Sequence, residues 1–418
     1  MVSGTYCPLP FGHLLVSQDG TIAPCCITEH RYQDHLGRPY IMTRDSLAAA
    51  WHSNDIKALR TALNAGQRPS ICSDCWHKES LGLKSHRLKL LETAENPRSW
   101  MHELGDEATD QPISLTIRYG NLCNLKCRIC VPWASSKWIE EWNSYRDSDW
   151  VGERVTEQAA LGNTVRRDQI MNWPNTSPGF WAEFDQLLPL MQDLMFSGGE
   201  PFMVPKQLEI LRACAASGHA SHIDLNFHTN GTLIDADLVT EVFPRFRSVT
   251  LQFSIDGIGA QFEYQRHGAD WHTVDANLRS CVSAWRDIPG AAVVNLTVSA
   301  MNVLYLHDYG QYFDQIGITV GLNHLVGQID LDPANLPAAV RHHIADHLER
   351  CMIAQPLNCY RFGSSYAEVV TALRQAPALE STEPFVTATR RMDQYRGEDF
   401  AAVFPEMADL VGYGKHLD

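Results

Sequence analysis

The feature that most constrains the fold is an alternation of short apolar runs with helical patterns between residues 113 and 330. Strands separated by helices pair in parallel, because a parallel connection needs a crossover of a dozen or more residues. The sequence therefore predicts an α/β fold with a curved, parallel sheet. The strand-like runs are 113–117, 194–196, 223–227, 249–253, 294–298 and 320–322. Helical patterns between and after them cover 206–217, 235–243, 274–285 and 306–315.

The length of this region limits how far the sheet can close. A complete eight-unit barrel takes about 250 residues, and a tryptophan-rich insertion at 131–190 occupies part of 113–330. We therefore expect a partial (β/α)6 TIM-like barrel. Residues 331–418 carry only helical patterns, at 338–354, 366–375 and 385–395, and form a helical C-terminal extension. Residues 1–95 precede the barrel as a separate module.

Chemistry-bearing residues follow the predicted strand ends, where function collects in such barrels. After the first strand come Cys123, Cys127 and Cys130, which can converge on one iron–sulfur cube and leave one iron without a protein ligand. The next three strands are followed by glycines and small polar residues, which let a backbone approach a ligand closely. Those segments are Ser197-Gly198-Gly199-Glu200-Pro201, His228-Thr229-Asn230-Gly231 and Ser254-Ile255-Asp256-Gly257.

The N-terminal module holds a second group of cysteines. Asp19-Gly20 separates two short apolar runs and predicts a hairpin that brings Cys7 and Cys25 together. Cys72 and Cys75 supply a metal-type pair after a helix predicted at 46–64. Four cysteines in two pairs can bind zinc or an iron–sulfur cluster, and the spacing alone does not choose between them.

The remaining cysteines and one N-terminal histidine have weaker assignments. Cys26 can replace Cys25 as a ligand or act as a catalytic thiol, and His77 is a minor candidate ligand. The singly placed cysteines are interpreted as buried thiols. They are Cys214, Cys281, Cys351 and Cys359.

Net charge and hydropathy restrict the partners. The formal net charge of −15 argues against a general basic surface for a nucleic-acid backbone. No apolar run approaches the roughly 20 residues that span a bilayer, and residues 1–16 lack the features of a secretory signal. We expect a cytoplasmic protein that binds neither nucleic acid nor membrane, and in that compartment paired cysteines favour metal sites over disulfides.

The insertion has two interpretations. Trp138 and Trp142 stand four residues apart, which favours one helix face packed on the barrel; the alternative is a substrate-binding lid. The charged run Arg166, Arg167 and Asp168 either contacts substrate or forms a solvated cluster. The tryptophans concerned are Trp133, Trp138, Trp142, Trp150, Trp173 and Trp181.

Together these motifs resemble the radical S-adenosylmethionine superfamily across residues 113–330. The resemblance implies a 4Fe-4S cluster on Cys123, Cys127 and Cys130, whose open iron binds S-adenosylmethionine. It further implies that three groups of residues contact S-adenosylmethionine: one at its amino group, one at its carboxylate, and a weaker set of candidates near its ribose. These residues are Gly198, Gly199 and Glu200 for the amino group, Ser254 and Arg266 for the carboxylate, Thr229 and Asn230 for the ribose, and Asp256 in the same motif. One departure is Ile129, where the family often has an aromatic residue.

The N-terminal cysteines resemble the auxiliary-cluster module called twitch, a short relative of the SPASM domain, although here the module precedes the barrel. This resemblance implies a second, auxiliary 4Fe-4S cluster on Cys7, Cys25, Cys72 and Cys75. The implied activity is reductive cleavage of S-adenosylmethionine to a 5′-deoxyadenosyl radical that abstracts a hydrogen atom from a peptide or amino-acid side chain. A low-potential donor such as flavodoxin or ferredoxin would supply the electron.

Two alternatives stay open at this point. The first is the same radical chemistry on a small-molecule metabolite, such as an amino sugar or an amino-acid derivative. The second is a non-catalytic iron–sulfur electron carrier, which would need no surface for a methionyl group. The sequence names neither the substrate, nor the net reaction, nor the oligomeric state.

Overall fold

One eight-stranded sheet organises the molecule, whose computed structural model describes residues 4–28, 30–80, 84–92, 100–104, 107–145, 170–325, 328–360, 363–376 and 381–414. The strands are β1 (His13–Val16), β2 (Ile22–Ala23), β3 (Ser114–Arg118), β4 (Lys126–Cys127), β5 (Asp193–Ser197), β6 (Asp224–Thr229), β7 (Ser248–Ser254), β8 (Arg266–His267), β9 (Gly290–Val298) and β10 (Thr319–His324). The sheet has the spatial order β10-β9-β7-β6-β5-β3-β1-β2, and β4 pairs with β8 in a separate ribbon.

The sheet is mostly parallel, as the strand–helix alternation predicts. Each of the six expected strands is present, and the pairs along β3-β5-β6-β7-β9-β10 are all parallel. Among the strands of the described residues, the one antiparallel pair in this sheet is that of the hairpin strands β1 and β2. The predicted α/β class is therefore confirmed.

The two faces of the sheet differ in chemistry. Along β7 burial alternates residue by residue, with Val249, Leu251 and Phe253 buried and the intervening side chains partly exposed. Such a period of two marks one packed face and one open face. The open face carries polar side chains where a filled barrel would carry branched apolar ones. Its members include Asn226, Thr250, Gln252, Asn295 and Asn323.

Helices cover the apolar face and build the C-terminal extension. They are α1 (Leu9–Gly12), α2 (Leu47–Trp51), α3 (Asn54–Asn64), α4 (Ser73–Ser80), α5 (His86–Leu91), α6 (Trp100–Glu103), α7 (Trp138–Ser144), α8 (Trp173–Thr176), α9 (Pro178–Leu187), α10 (Pro205–Ser217), α11 (Gly259–Gln265), α12 (Trp271–Ala284), α13 (Leu306–Gln315), α14 (Ala338–Ala354), α15 (Tyr366–Gln375), α16 (Glu383–Arg396), α17 (Phe400–Val403) and α18 (Pro405–Val411). Within the described ranges, no helix is long and apolar enough to cross a membrane.

Most helix predictions agree with these bounds, and two differ. The single helix expected at 46–64 is divided, because the hydroxyls of Ser46 and Ser53 each accept a backbone N–H bond and begin a new helix. The helix expected at 235–243 is a short π-helical turn, Leu238–Val242. The helices α13, α14 and α15 have the predicted bounds.

The N-terminal hairpin is part of the main sheet. β1 pairs in parallel with β3, so that His13 lies opposite Ser114 and Val16 lies opposite Ile117. The His13 Nδ1 atom is 2.8 Å from the Ser114 Oγ atom. The turn contains Gly20 at φ 81°, a left-handed conformation that favours glycine. The domain boundary near residue 95 remains a prediction, while the sheet itself continues across it.

Candidate iron–sulfur and cofactor site

The three-cysteine loop lies beyond the carboxyl end of β3 and is tied down by the β4–β8 ribbon. Cys127 pairs with Arg266, and Lys126 pairs with His267. The side chains of Cys123 and Cys127 are 8% and 3% exposed, and that of Cys130 is half-buried. The ribbon therefore holds Arg266, which is distant in sequence, beside the predicted cluster ligands.

Two side-chain N–H groups point at sulfur atoms of this loop. Asn230 Nδ2 is 3.8 Å from Cys123 Sγ, and Arg266 Nη1 is 3.7 Å from Cys127 Sγ. Hydrogen bonds from such groups stabilise thiolates and tune the potential of a cluster bound to them. A hydrogen bond from Cys130, helped by Arg266, lowers the pKa of Cys127 to about 7, while burial raises the pKa of Cys123 to about 12. The donor set thus fits an anionic iron–sulfur cluster.

The glycine pair at the end of β5 is required by a close backbone approach. A Cβ atom on Gly198 would lie 2.4 Å from Tyr119 N, and one on Gly199 would lie 2.0 Å from Leu122 O. Gly199 N also donates to Gly120 O at 3.0 Å. The two strand-end loops are therefore packed backbone to backbone. The predicted contact of these glycines with the cofactor remains a prediction.

Glu200 is buried between the second and third strand ends, with 1% exposure. Its carboxylate accepts hydrogen bonds from Thr229 Oγ1 at 2.8 Å, Asn230 N at 2.7 Å and Phe202 N at 3.2 Å. Burial nevertheless raises the pKa of Glu200 to about 7. Sequence reasoning assigned Glu200, Thr229 and Asn230 to separate parts of the cofactor, whereas the structure joins them in one hydrogen-bonded group.

Arg266 forms a buried ion pair with Asp256, Nη2 to Oδ2 at 2.8 Å. Burial opposes its charge, but Asp256 and the neighbouring cysteines raise the pKa of Arg266 above its usual value. Arg266 Nε is buried and donates to no described atom, so an N–H group is left for an anionic ligand. Ser254, the expected partner of Arg266 for a carboxylate, ends β7 and is half-buried.

The C-terminal extension holds the cysteine loop through buried charges, which sequence reasoning missed. Arg128, fully buried within the loop, places Nη2 2.5 Å from Asp393 Oδ1 and also pairs with Glu398. The guanidinium lies 3.7 Å from the centre of the Tyr264 ring. Arg128 and Asp393 are 265 residues apart, so no local pattern signals the pair.

A second buried charge group joins the same two segments. Glu141, in the middle of the insertion helix α7, is 2.6 Å from Lys126 Nζ and 3.0 Å from Arg396 Nε. The indole of Trp138 donates to Cys127 O at 2.7 Å and packs edge-on against Trp142. Packing is thus the role that the structure shows for this tryptophan pair. The lid interpretation for the remainder of the insertion rests partly on Trp150, Arg166, Arg167 and Asp168, which lie outside the described residues.

The four cysteines predicted for the auxiliary cluster lie close enough to influence one another. Burial, reinforced by the charges of Cys25, Cys72 and Cys75, raises the pKa of Cys7 well above its usual value. Burial, followed by the charges of Cys26 and Cys72, raises the pKa of Cys25 to about 12, and burial with the charge of Cys75 raises the pKa of Cys72 to about 11. In the described part of the chain, no three His, Cys, Asp or Glu side chains are arranged around a single metal ion.

Cys26, next to this group, has different surroundings. Its exposed side chain places Sγ 3.9 Å from His86 Nε2. Crowding by neighbouring atoms opposes ionisation, but the His86 contact and the charge of Arg118 lower the pKa of Cys26 to about 7. His77, the minor candidate ligand, lies on α4 with an exposed side chain.

The structure thus defines an α/β protein with two groups of cysteines, one in the N-terminal segment and one beyond the carboxyl end of β3. Residues 7–76 match the family model of SPASM, an iron–sulfur cluster-binding domain. The predicted SPASM-type module and its iron–sulfur cofactor are therefore confirmed for this segment, which contains Cys7, Cys25, Cys72 and Cys75. A comparison with curated proteins finds no match.

Several solved structures are similar to this chain. Native anSMEcpe with bound AdoMet has 15% identity over 60% of this chain and 65% of its own, with a TM-score of 0.38. Streptococcus suis SuiB bound to precursor peptide SuiA has 15% identity over 69% and 61%, with a TM-score of 0.35. TYW1 with a lysine-pyruvate adduct has 13% identity over 57% and 73%, with a TM-score of 0.30. This chain spans less than two thirds of the anSMEcpe and peptide-bound SuiB chains.

Proposed function

We propose that this protein is a radical S-adenosylmethionine enzyme that abstracts a hydrogen atom from a peptide or an amino-acid side chain. The observation that carries the proposal is the convergence on one loop of three cysteines, with N–H donors at 3.8 Å from Cys123 Sγ and 3.7 Å from Cys127 Sγ. An electron carrier needs no hydrogen-bond donor beyond those to its cluster, whereas the buried Nε of Arg266 donates to no atom of the described residues and can bind an anionic ligand.

The residues of the chain would divide the work as follows. Cys123, Cys127 and Cys130 would hold a 4Fe-4S cluster, which supplies a 5′-deoxyadenosyl radical when S-adenosylmethionine is bound and reduced. Arg266, together with Ser254 at the end of β7, would orient the carboxylate of the cofactor. Glu200 would fix Thr229 and Asn230, the two groups that approach the ribose.

The SPASM module supports a peptide as substrate. By resemblance, this kind of auxiliary module is common among enzymes that modify peptides, where it accepts an electron from the substrate or helps to bind it. Cys7, Cys25, Cys72 and Cys75 would hold the second 4Fe-4S cluster. A low-potential flavodoxin or ferredoxin would reduce the enzyme.

Cofactor cleavage tests the activity directly. Under strict anaerobiosis with a strong reductant, we expect the reconstituted protein to convert S-adenosylmethionine to 5′-deoxyadenosine and the Cys127→Ala variant to lose this conversion. Cys351→Ala is the matched control, because Cys351 is a cysteine of α14 that belongs to neither predicted cluster group. Absence of cleavage by the native protein would refute the enzyme assignment.

Iron content tests the second cluster separately. Two 4Fe-4S clusters require about eight irons per chain, and we expect Cys72→Ala to lower this value to about four while Cys351→Ala leaves it unchanged. Zinc with about four irons in the native protein would remove the auxiliary cluster from the proposal. Deuterium transfer from a labelled peptide into 5′-deoxyadenosine would then identify the substrate, and transfer from a labelled amino sugar alone would favour the small-molecule alternative.

A further inference from the structure

The polar face of the sheet borders a cavity that the cysteine site does not use. It opens to solvent and has a volume of about 230 Å³. The side chains of β6, β7, β9 and β10 line one wall, and α5 of the N-terminal segment lines another through His86, Lys89 and Leu90. This volume is below the roughly 300–1,000 Å³ of typical ligand sites, so the cavity has room for one amino-acid side chain rather than for a longer stretch of peptide.

Among the described residues, two charged side chains line the cavity, Lys89 and Asp224. The carboxylate of Asp224 is already paired with Arg247, through contacts of 2.9 Å and 2.6 Å, which leaves Lys89 as the charge available to a ligand. The side chain of Lys89 is exposed at the mouth of the cavity, and its ammonium group forms no ion pair and no hydrogen bond with any residue in the described ranges. An ammonium group in this position is available to an anionic ligand, because a carboxylate that enters the cavity can accept charge-assisted hydrogen bonds from it.

The strand wall adds neutral donors around this cation. The side-chain amide of Gln252 and the hydroxyl of Thr250 form no hydrogen bond with another side chain of the described residues. Asn295 accepts a hydrogen bond from Asn323 through Oδ1, which leaves its Nδ2 group as a donor. A carboxylate offers two oxygens with about four acceptor sites, and this set of donors matches that capacity.

We propose that the cavity binds an acidic side chain, aspartate or glutamate, of the peptide substrate. Lys89 pairs with the carboxylate, and Gln252 and Asn295 donate hydrogen bonds to it. The inference rests on the proposed function, since it names a feature of the substrate of the same enzyme. The cavity also adjoins the SPASM segment, because His86 in its wall contacts Cys26 at 3.9 Å.

Calorimetric binding of a peptide series tests this specificity without turnover. The probes are acetylated and amidated pentapeptides, Gly-Gly-X-Gly-Gly, with Glu, Gln, Asp, Asn or Lys at X, so that the termini carry no charge. They are titrated into the reconstituted, unreduced protein in the presence of S-adenosylmethionine. We expect the Glu and Asp peptides to bind at least about fivefold more tightly than their amide counterparts, as a charge-assisted hydrogen bond provides.

Substitutions at Lys89 assign the preference to the cavity. Lys89→Met should abolish the preference, and Lys89→Glu should reverse it in favour of the Lys peptide. Lys57→Met, an exposed position on α3, should leave it unchanged. Equal binding of acid and amide peptides, no binding by any peptide, or a preference that survives Lys89→Met would overturn the inference. If cleavage of S-adenosylmethionine is intact in that case, only this inference fails; if cleavage is absent as well, the proposed function fails.

Discussion

Replacing Arg128 by methionine should destabilise the protein strongly, because the guanidinium neutralises two carboxylates from the C-terminal extension. Arg128 is fully buried, its Nη2 atom is 2.5 Å from Asp393 Oδ1, and Glu398 shares the same nitrogen. Methionine fills much of the volume but leaves the carboxylates without their cation. Removal of one partner of a buried pair costs about 3–5 kcal/mol.

The remaining contacts of the two carboxylates set where in this range the cost should fall. Asp393 retains hydrogen bonds from Tyr264 at 2.6 Å, Tyr413 at 2.7 Å and Phe400 N at 2.9 Å. Glu398 retains His267 at 2.6 Å and is partly exposed. We therefore expect the lower end, about 3 kcal/mol, for the Arg128→Met substitution.

Urea unfolding of the apo protein measures this free energy without any contribution from bound clusters. Arg374→Met serves as control, since Arg374 contacts Asp346 at 2.8 Å and Glu349 at 2.5 Å on the surface and should change stability little. The double variant Arg128→Met with Glu398→Gln should be less destabilised than the sum of the single variants, because the pair is then removed together. An Arg128→Met variant within about 0.5 kcal/mol of the native protein would refute the reasoning.

Two further changes probe the strand-end loops. Gly199→Ala places a Cβ atom 2.0 Å from Leu122 O and should lower both stability and iron loading, whereas Gly179→Ala, with no atom within 4 Å, should be tolerated; equal iron content in the two variants would contradict the close-approach argument. Burial raises the pKa of Glu200 in the folded protein to about 7, above its value in the unfolded chain. The stability associated with the protonated carboxyl is therefore fully present below the unfolded pKa and is lost as the pH rises from that value through 7. Urea unfolding of the apo protein should therefore show a loss of about 2–3 kcal/mol between pH 5 and pH 8 that is absent in Glu200→Gln; the same loss in both proteins would exclude Glu200 as its source.

The parts of the fold that follow local patterns could be predicted from the sequence. The alternation of apolar and polar residues, which burial follows in the structure, predicts strands such as β7. The helix α14 has its predicted bounds because its apolar spacing is regular. The cysteine spacing likewise identifies both candidate cluster sites. The division of 46–64 depends on a single serine cap at Ser53, a signal that competes with a continuous apolar face.

The long-range contacts of the site could not be predicted. Arg266 reaches Cys127 because two dipeptides form the β4–β8 ribbon, and two-residue strands have no periodicity to detect. The Arg128–Asp393 pair joins the cysteine loop to the C-terminal extension, and in the sequence each residue looks like an ordinary surface charge. The position of Lys89 becomes informative only once the strands and α5 are seen to line a common cavity.

The pairing of β1 with β3 has a consequence for synthesis on the ribosome. His13 cannot pair with Ser114 until Ser114, which is 101 residues further along the chain, has been synthesised. At roughly 5–20 residues per second, the interval is about 5–20 s. Before this interval ends, Cys7, Cys25, Cys72 and Cys75 have all been synthesised, whereas the sheet that will support their hairpin has not yet formed. The order of translation therefore exposes the auxiliary cysteines to cluster delivery before the barrel cysteines, and slowing translation between residues 76 and 113 should lengthen that window.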